Sequence, residues 1–429
     1  MFPHKRGRHC PGVSSLQQAP PHKSDEGMND IIFVSLEPWD EIWRRNQFLC
    51  AGLARRYPGI KILFIGPSRD VSFHLRTGRL AELRGPSSWL VPEIPSIQVI
   101  RPLKLAPTSL AAGQYFNEAM ARFHIRRAAV AMGMEKPLLW LNPHSALHLV
   151  GRIPACGVIY DITDDWTQLK QTARAANLVI AQDAELCRRA DAVIVCSERL
   201  YALKRDLAQN LHLIPNGVDA EHYREVLDGQ GLLPVEARTW AKPVIGYTGT
   251  IHPERVDVNL VELLARRYPH ATIALVGPDL LETDEREQLT RCGNVRMSGP
   301  VPYKDVPAYM RAFDVCMTPH LRTPFTESLN PIKLWEYLAG GKPIVSTDVA
   351  GFRDYPGLVH LATDAESFCA AIDAALVEPP SRQEARRQEA QRHSWDRRLD
   401  ALEGVIRTCC GDKRASTGFA VGVRATQPA

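Results

Sequence analysis

No run of about 18 uninterrupted apolar residues occurs anywhere in the 429 residues, so nothing in the sequence reads as a membrane-spanning helix. Ten cysteines are scattered without a CxxC and without a recurring spacing, and Cys409–Cys410 is the only close pair. That pattern argues against a zinc site and against a disulfide framework, and it favours a reducing compartment. Cys156, Cys187, Cys196 and Cys316 read as small apolar fillers. There is no GxGxxG and no GxxxxGK[ST], which leaves a dinucleotide fingerprint and a Walker loop both unsupported. Charge of one sign is also missing overall, the net being +4. Its distribution is uneven, however. Residues 29–213 carry 23 Lys and Arg against 17 Asp and Glu, and residues 214–429 carry 25 against 29. A basic half followed by an acidic one suggests that only one domain meets an anionic partner. The presumed ligand domain is the acidic one, which disfavours nucleic acid as that partner.

What is present suits two domains, with 45% hydrophobic and 23% charged residues in an ordinary globular proportion. Residues 1–28 are rich in Pro, Ser, His and charge and lack an apolar centre, so they read as a disordered tail. Met28 stands directly before the first strand, a second place where translation could begin, and residues 411–429 read as another tail. Between the tails, short β-branched runs alternate with helical periodicity. DIIFVSLEP, KILFIGP, PLLWLNP, ACGVIYDITDD, AVIVCS and NLHLIPN form one series, and PVIGYTG, ATIALVGP, NVRMSGPVP and KPIVST form a second. Short apolar strands separated by helices imply parallel sheets covered on both faces. The reading is therefore α/β, with two doubly wound Rossmann-like domains facing a central cleft. These are expected over 29–214 and 215–390, with a helix over 391–410 returning to the first domain. Residues 68–118, Pro- and Arg-rich with weak periodicity, read as loops and short elements.

In open parallel sheets ligands bind beyond the carboxyl ends of the strands. In the second half those positions are GTIHPER, GPDL, GPVPY and HLRTPFTESLNPIK. A glycine there lets backbone approach a phosphate, and a helix start offers free N–H groups. The strongest local signal is NPIKLWEYLAGGKPIVST. Lys333 and Glu336, three apart, share a helix face, and Pro331 fits the first turn. Lys333 would then meet a diphosphate, and Glu336 the two hydroxyls of a ribose. An i,i+3 ion pair would explain the same spacing.

YDITDDW, SERLYALK, LIPNGVD, IGYTGTI, GPVPYKDVPAYMRAFDVCMTP and NPIKLWEYLAGGKPIVST resemble, in order and spacing, family 4 glycosyltransferases. The likeness spans roughly residues 31–400 and is nearer the bacterial branch that decorates surface polysaccharides, teichuronic-acid-type enzymes included. It implies the GT-B fold, a nucleotide-sugar donor with uridine favoured, retention at the donor sugar, and no metal or other cofactor. It places the ribose glutamate at Glu336 and a phosphate-binding cation at Arg255, beside Gly249 and Thr250. Thr250 stands where many members have a second phosphate-binding Arg, a part that Lys333 takes over in this branch. Base contacts fall on Gly299, Pro300 and Val301. The wider family has Glu-x7-Glu, whereas this chain has Ser328 eight residues before Glu336 and Glu327 one residue earlier. Ser328, Asn330 and Pro331 then become the donor-sugar candidates.

In the first half, Trp39 could stack on an acceptor sugar, and Arg44 and Arg45 could reach a phosphate; packing and solvated helix charge are the plain alternatives. His144 follows the strand LLWLNP, near where the resemblance places a cleft-facing histidine. Asp161, Asp164 and Asp165 cluster at a strand end and would repel one another without a cation or ligand. Asp164 or Asp165 would orient or deprotonate the acceptor hydroxyl, unless they cap the following helix. A basic face with Arg122, Arg126 and Arg127, together with Arg76, Arg79, Arg84 and Arg101, suits an anionic lipid surface. The expected partners are a nucleotide-sugar and a glycan or polyprenyl-linked acceptor, with the protein in the cytoplasm or at the inner face of the plasma membrane. A nucleotide-sugar epimerase of the same fold and a catalytically inactive nucleotide-sugar-binding partner are the competing readings.

Overall fold

The computed structural model describes residues 28–411 apart from 79–82, 109, 169–170 and 230. Arg79 and, of the expected tails, residues 1–27 and 412–429 lie outside the described residues.

Uninterrupted aliphatic and aromatic runs make the strands, because each is covered on both faces. The first sheet holds β1 (Ile31–Val34), β2 (Ile62–Ile65), β3 (Ser88–Val91), β4 (Ile94–Ile100), β5 (Leu138–Leu141), β6 (Val158–Ile162), β7 (Ala192–Val195) and β8 (Leu211–Leu213). Their order is β8-β7-β6-β5-β1-β2-β4-β3, parallel throughout except for β3, which runs antiparallel to β4. The second sheet holds β9 (Val244–Thr248), β10 (Thr272–Val276), β11 (Val295–Gly299), β12 (Val315–Thr318), β13 (Ile344–Thr347) and β14 (His360–Ala362), in the order β11-β10-β9-β12-β13-β14. Taken within the second half alone this is the 3-2-1-4-5-6 order of a doubly wound nucleotide-binding sheet. Strand order therefore reverses between β9 and β12, and in the first sheet between β1 and β5, so each sheet opens a crevice at its carboxyl edge.

Residues 68–118, expected to hold loops and short elements, do hold short elements. They supply β3 and β4, and β4 pairs in parallel with β2, Ile62 facing Ile97. Prolines at the ends of these strands and the polar outward positions of β4 (burial alternating along IPSIQVI) blurred the pattern.

The helix Arg45–Arg56 covers one face of the first sheet together with the helix Trp395–Cys410 from the far end of the chain. Leu49 and Leu53 of the former and Leu399, Leu402 and Ile406 of the latter join Phe33, Phe64 and Trp140 in one core. Cys156, expected as an apolar filler, is instead disulfide-bonded to Cys410. The two residues meet because the returning helix ends against the start of β6, a neighbour 254 positions away in sequence and so invisible in any spacing.

The chain crosses between halves twice, and the crossings bond to each other. Val218 N–H donates to His393 O at 2.9 Å, and Trp395 N–H donates to Val218 O at 3.3 Å. A Cβ on Gly217 would stand 3.0 Å from His393 O and from Trp395 N, tight enough to press on the backbone of the second crossing.

Candidate functional site

The cleft lies where the carboxyl ends of the two sheets face each other. Its lining draws on the segments after β1 and β6 on one side and after β9, β10, β11 and β12 on the other. Of the residues singled out from sequence, Arg44, Arg45, Asp164, Gly249, Thr250, Arg255, Val301, Asn330, Pro331, Lys333 and Glu336 line it. Trp39, His144, Asp165, Gly299, Pro300 and Ser328 do not.

On the acidic half's side the geometry centres on the helix Ile332–Ala339, with Pro331 at its N-cap. Lys333, in the first turn, points across the Gly249 turn. The backbone at Gly249 has φ 127°, which favours glycine, and a Cβ there would lie 3.2 Å from Lys333 Cε. The Lys333 ammonium sits 5.0 Å from the centre of the Tyr247 ring. Burial first, then the neighbouring Arg255 charge, pushes its pKa down from the ordinary lysine value to about 7. One turn on, Glu336 accepts a 2.7 Å hydrogen bond from the hydroxyl of the buried Tyr223, and burial raises its pKa. Arg255 follows the turn after β9. Its guanidinium lies 3.5 Å from Asp164 of the opposite half and 5.3 Å from the Phe325 ring centre, while its Nε has no partner.

The three clustered aspartates separate by role, which removes their mutual repulsion. Asp161 is fully buried and takes Arg45 in a two-pronged pair at 3.2 and 3.3 Å. Arg45 also donates to Pro215 O and to Asn216 Oδ1, so its guanidinium ties β6 to the first chain crossing and is not free for an acceptor phosphate. Of the three, Asp164 alone faces the cleft cations. Asp165 is buried and accepts from Thr167 N–H and Thr167 Oγ1, capping the short turn Trp166–Gln168.

Ser328 is wholly buried at the junction of the halves. Its hydroxyl donates to Phe325 O and accepts from Asp165 N–H at 3.3 Å, and its carbonyl accepts from Ser197 Oγ at 2.6 Å. Asn330 Oδ1 accepts from Asn216 N–H at 2.8 Å. Glu327, one residue before Ser328, is held by Arg353 at 2.7 Å. Trp39 packs edge-on against Phe64, with ring centres 5.0 Å apart, at the border of the core. Arg44 bonds Asp40 and Ile42 O close to its own helix start. His144 begins a short turn, half-buried, and burial lowers its pKa.

Several cleft groups were given no role in the sequence reading, although the segments that carry some of them were singled out. Tyr303 stacks on Trp43 of the first half with ring centres 6.0 Å apart and on His222 at 4.1 Å, and its N–H donates to Glu41 O at 2.8 Å. Tyr223, Tyr247 and His320 complete the ring of aromatics around Lys333 and Glu336. Single tyrosines after a turn carry no spacing signal, so only the fold reveals them.

Two nucleotide-binding-type sheets facing one another, joined by a double crossing and closed by a terminal helix on the first sheet, constitute the GT-B fold, and solved structures of that fold superpose on nearly the whole chain. A sucrose-phosphate synthase from Thermosynechococcus elongatus matches over 88% of this chain and 98% of its own, with a TM-score of 0.66 and 18% identity. A trehalose-6-phosphate enzyme from E. coli bound with UDP-2-fluoro glucose covers 88% and 99%, with a TM-score of 0.63 and 12% identity. Anabaena HepE in complex with UDP and glucose covers 88% and 99%, with a TM-score of 0.61 and 17% identity. In sequence, residues 242–378 match the family described as glycosyl transferases group 1. TuaH of Bacillus subtilis (strain 168), assigned to teichuronic acid biosynthesis as a glycosyltransferase, is 30% identical over 205 residues. That match covers 45% of this chain and about half of the relative's own length, 50%.

Proposed function

We propose that the protein is a glycosyltransferase that moves a sugar from a nucleotide-sugar, UDP-linked, to a hydroxyl of a glycan or lipid-linked acceptor, with retention at the donor carbon. The observation that carries this is the pairing of Lys333 and Glu336 on one helix face beside the Gly249 turn. It offers an anion-receptive backbone, a buried cation and a carboxylate in the order that phosphate and ribose require. The group 1 match over residues 242–378 covers these same elements, and two of the solved relatives of this fold hold UDP or a UDP-sugar.

In this reading Arg255, Lys333 and the N–H groups opening the helix Ile332–Ala339 hold the diphosphate as it takes up negative charge on departure. Glu336 receives the ribose hydroxyls in place of the Tyr223 hydroxyl, Val301 bounds the base, and Asn330 faces the donor sugar. Asp164, across the cleft, orients the incoming hydroxyl. Glu336 being committed to the ribose, attack comes from the face the diphosphate leaves, and a phosphate oxygen accepts the proton. No metal or other cofactor takes part.

The acceptor side meets a membrane. The helix Ala111–Ala131 exposes Tyr115, Phe116, Phe123 and Val130 alongside Arg126 and Arg127, and no helix among the described residues is long and apolar enough to cross a bilayer. Aromatic and basic groups on one exposed helix suit the surface of an anionic leaflet, at the inner face of the plasma membrane where surface polysaccharide precursors are built.

A thermal-shift screen of UDP, GDP, ADP and dTDP, repeated on Glu336→Ala, tests the donor site. Free ligand at 100 times Kd stabilises a single site by about 2.7 kcal/mol. UDP is expected to shift the native chain and not the variant. A native chain that responds to none of the four nucleotides removes the donor-site assignment.

A further inference from the structure

We propose that His320 is the hydrogen-bond donor that grips the terminal phosphate of the bound nucleoside diphosphate, and so sets preference for diphosphate over monophosphate. The inference rests on the donor-site reading above and adds to it a residue that the sequence reading gave no role.

His320 follows β12 directly, at the crevice where strand order reverses in the second sheet. Its backbone is fixed on both sides: His320 bridges to Val256, its carbonyl accepts from Thr347 Oγ1 at 2.8 Å, and the next N–H donates to Arg255 O. The ring is 2% exposed, lines the cleft, and lies edge-on to Tyr247, whose ring also carries the Lys333 ammonium. Neither ring nitrogen has a hydrogen-bond partner. Leaving a buried polar group unpaired costs on the order of 1–3 kcal/mol, and native interiors keep few of them.

The neighbours say what the partner must be. The charges that act on the ring are Lys333 and Arg255, both positive, and together with burial they hold the imidazole in its neutral form. Lysine and arginine are donors only, so neither can receive the imidazole N–H. An acceptor that satisfies this N–H beside two cations is an anionic oxygen. Position then selects which one. Glu336, the ribose end, lies one turn beyond Lys333 and is bonded to Tyr223; the Lys333 ammonium and the His320 ring meet on the Tyr247 ring, and Arg255, whose carbonyl accepts from the N–H next to His320, reaches Asp164 of the other half. The order along the cleft is Glu336, Lys333, then Arg255 with His320, then Asp164. A nucleotide laid along it puts its outermost phosphate at His320.

The test is titration calorimetry of UDP and UMP against the native chain, His320→Ala and His320→Gln, with GDP, ADP or dTDP and its monophosphate substituted if one of those is what binds. The native chain is expected to prefer UDP to UMP. His320→Ala should reduce that preference about tenfold with UMP affinity unchanged, the scale of one hydrogen bond to a charged group. His320→Gln, which keeps an N–H and tolerates burial better than a cavity, should retain most of it. An unchanged preference in His320→Ala, or equal weakening of UDP and UMP in both variants, overturns the inference and leaves the donor site standing. A native chain that binds none of the diphosphates removes both.

Discussion

At the scale of single residues the cleft is defined by charges placed where water is scarce. Lys333 has a folded pKa of about 7, against about 10.4 for a free lysine. The unfolded chain therefore carries a proton that the native, empty chain has given up over that interval. This group opposes folding most below pH 7, and its penalty fades as pH rises toward the unfolded value. Anion binding runs the other way, because a diphosphate favours the ammonium. Affinity for UDP-glucose, a probe whose phosphates do not titrate nearby, should be highest below pH 7 and fall as pH climbs above it. Lys333→Arg, charged throughout, should flatten that profile, and calorimetry between pH 6 and 9 reads both. Arg45 shows the converse, a charge fully matched. Its loss in Arg45→Ala leaves Asp161 buried without a cation and should destabilise by about 3–5 kcal/mol in urea unfolding, the usual penalty for breaking a buried pair. Sequence alone singled out both residues but could not separate their roles. Spacing places a cation near a strand end, and only tertiary neighbours decide whether a carboxylate such as Asp161 already neutralises it.

Among elements, the helix Trp395–Cys410 shows how far hydrophobic patterning carries. Its return to the first domain was expected from sequence, and Leu399, Leu402, Val405 and Ile406 form the face it buries there. The closeness of the approach was not legible. A Cβ on Gly157 would stand 2.6 Å from the carbonyl oxygen of Cys409, so the helix end lies directly on the strand entry. Gly157→Ala should lower stability by about 1–3 kcal/mol, as overpacking against backbone does. Leu402→Ala, at a fully buried site, should cost about 2–5 kcal/mol through the cavity it leaves. Both are checked by denaturant midpoints. β3 and β4 were read as unspecified short elements and not as strands for the opposite reason, since edge-proximal strands alternate polar with apolar and carry prolines at their ends, a weaker signal than the solid aliphatic runs of β1 or β7.

For the whole molecule, the two halves touch through specific contacts: the Trp43–Tyr303–His222 stack, the Ser328 junction, and the Arg255–Asp164 pair. The doubled architecture was legible because two series of strands restart the same alternation. The contacts between the series were not, since they join residues far apart in the chain with no shared periodicity. Tyr303→Ala removes the middle of the stack. It should widen the distribution of distances between the halves in small-angle scattering while leaving each half's unfolding intact, and nucleotide should restore compactness through the cations it bridges.

The first core mixes strands from the opening of the chain with a helix from its end, so that Phe33 and Leu402 share one interior. During synthesis, therefore, the first half leaves the ribosome with an apolar face uncovered, and it stays so until translation has run through the entire second half. The second sheet, whose core draws nothing from the returning helix, can close first. A ribosome that stalls or terminates near residue 390 would release a chain with a finished second half and an unfinished first half, the form most exposed to chaperones and proteases.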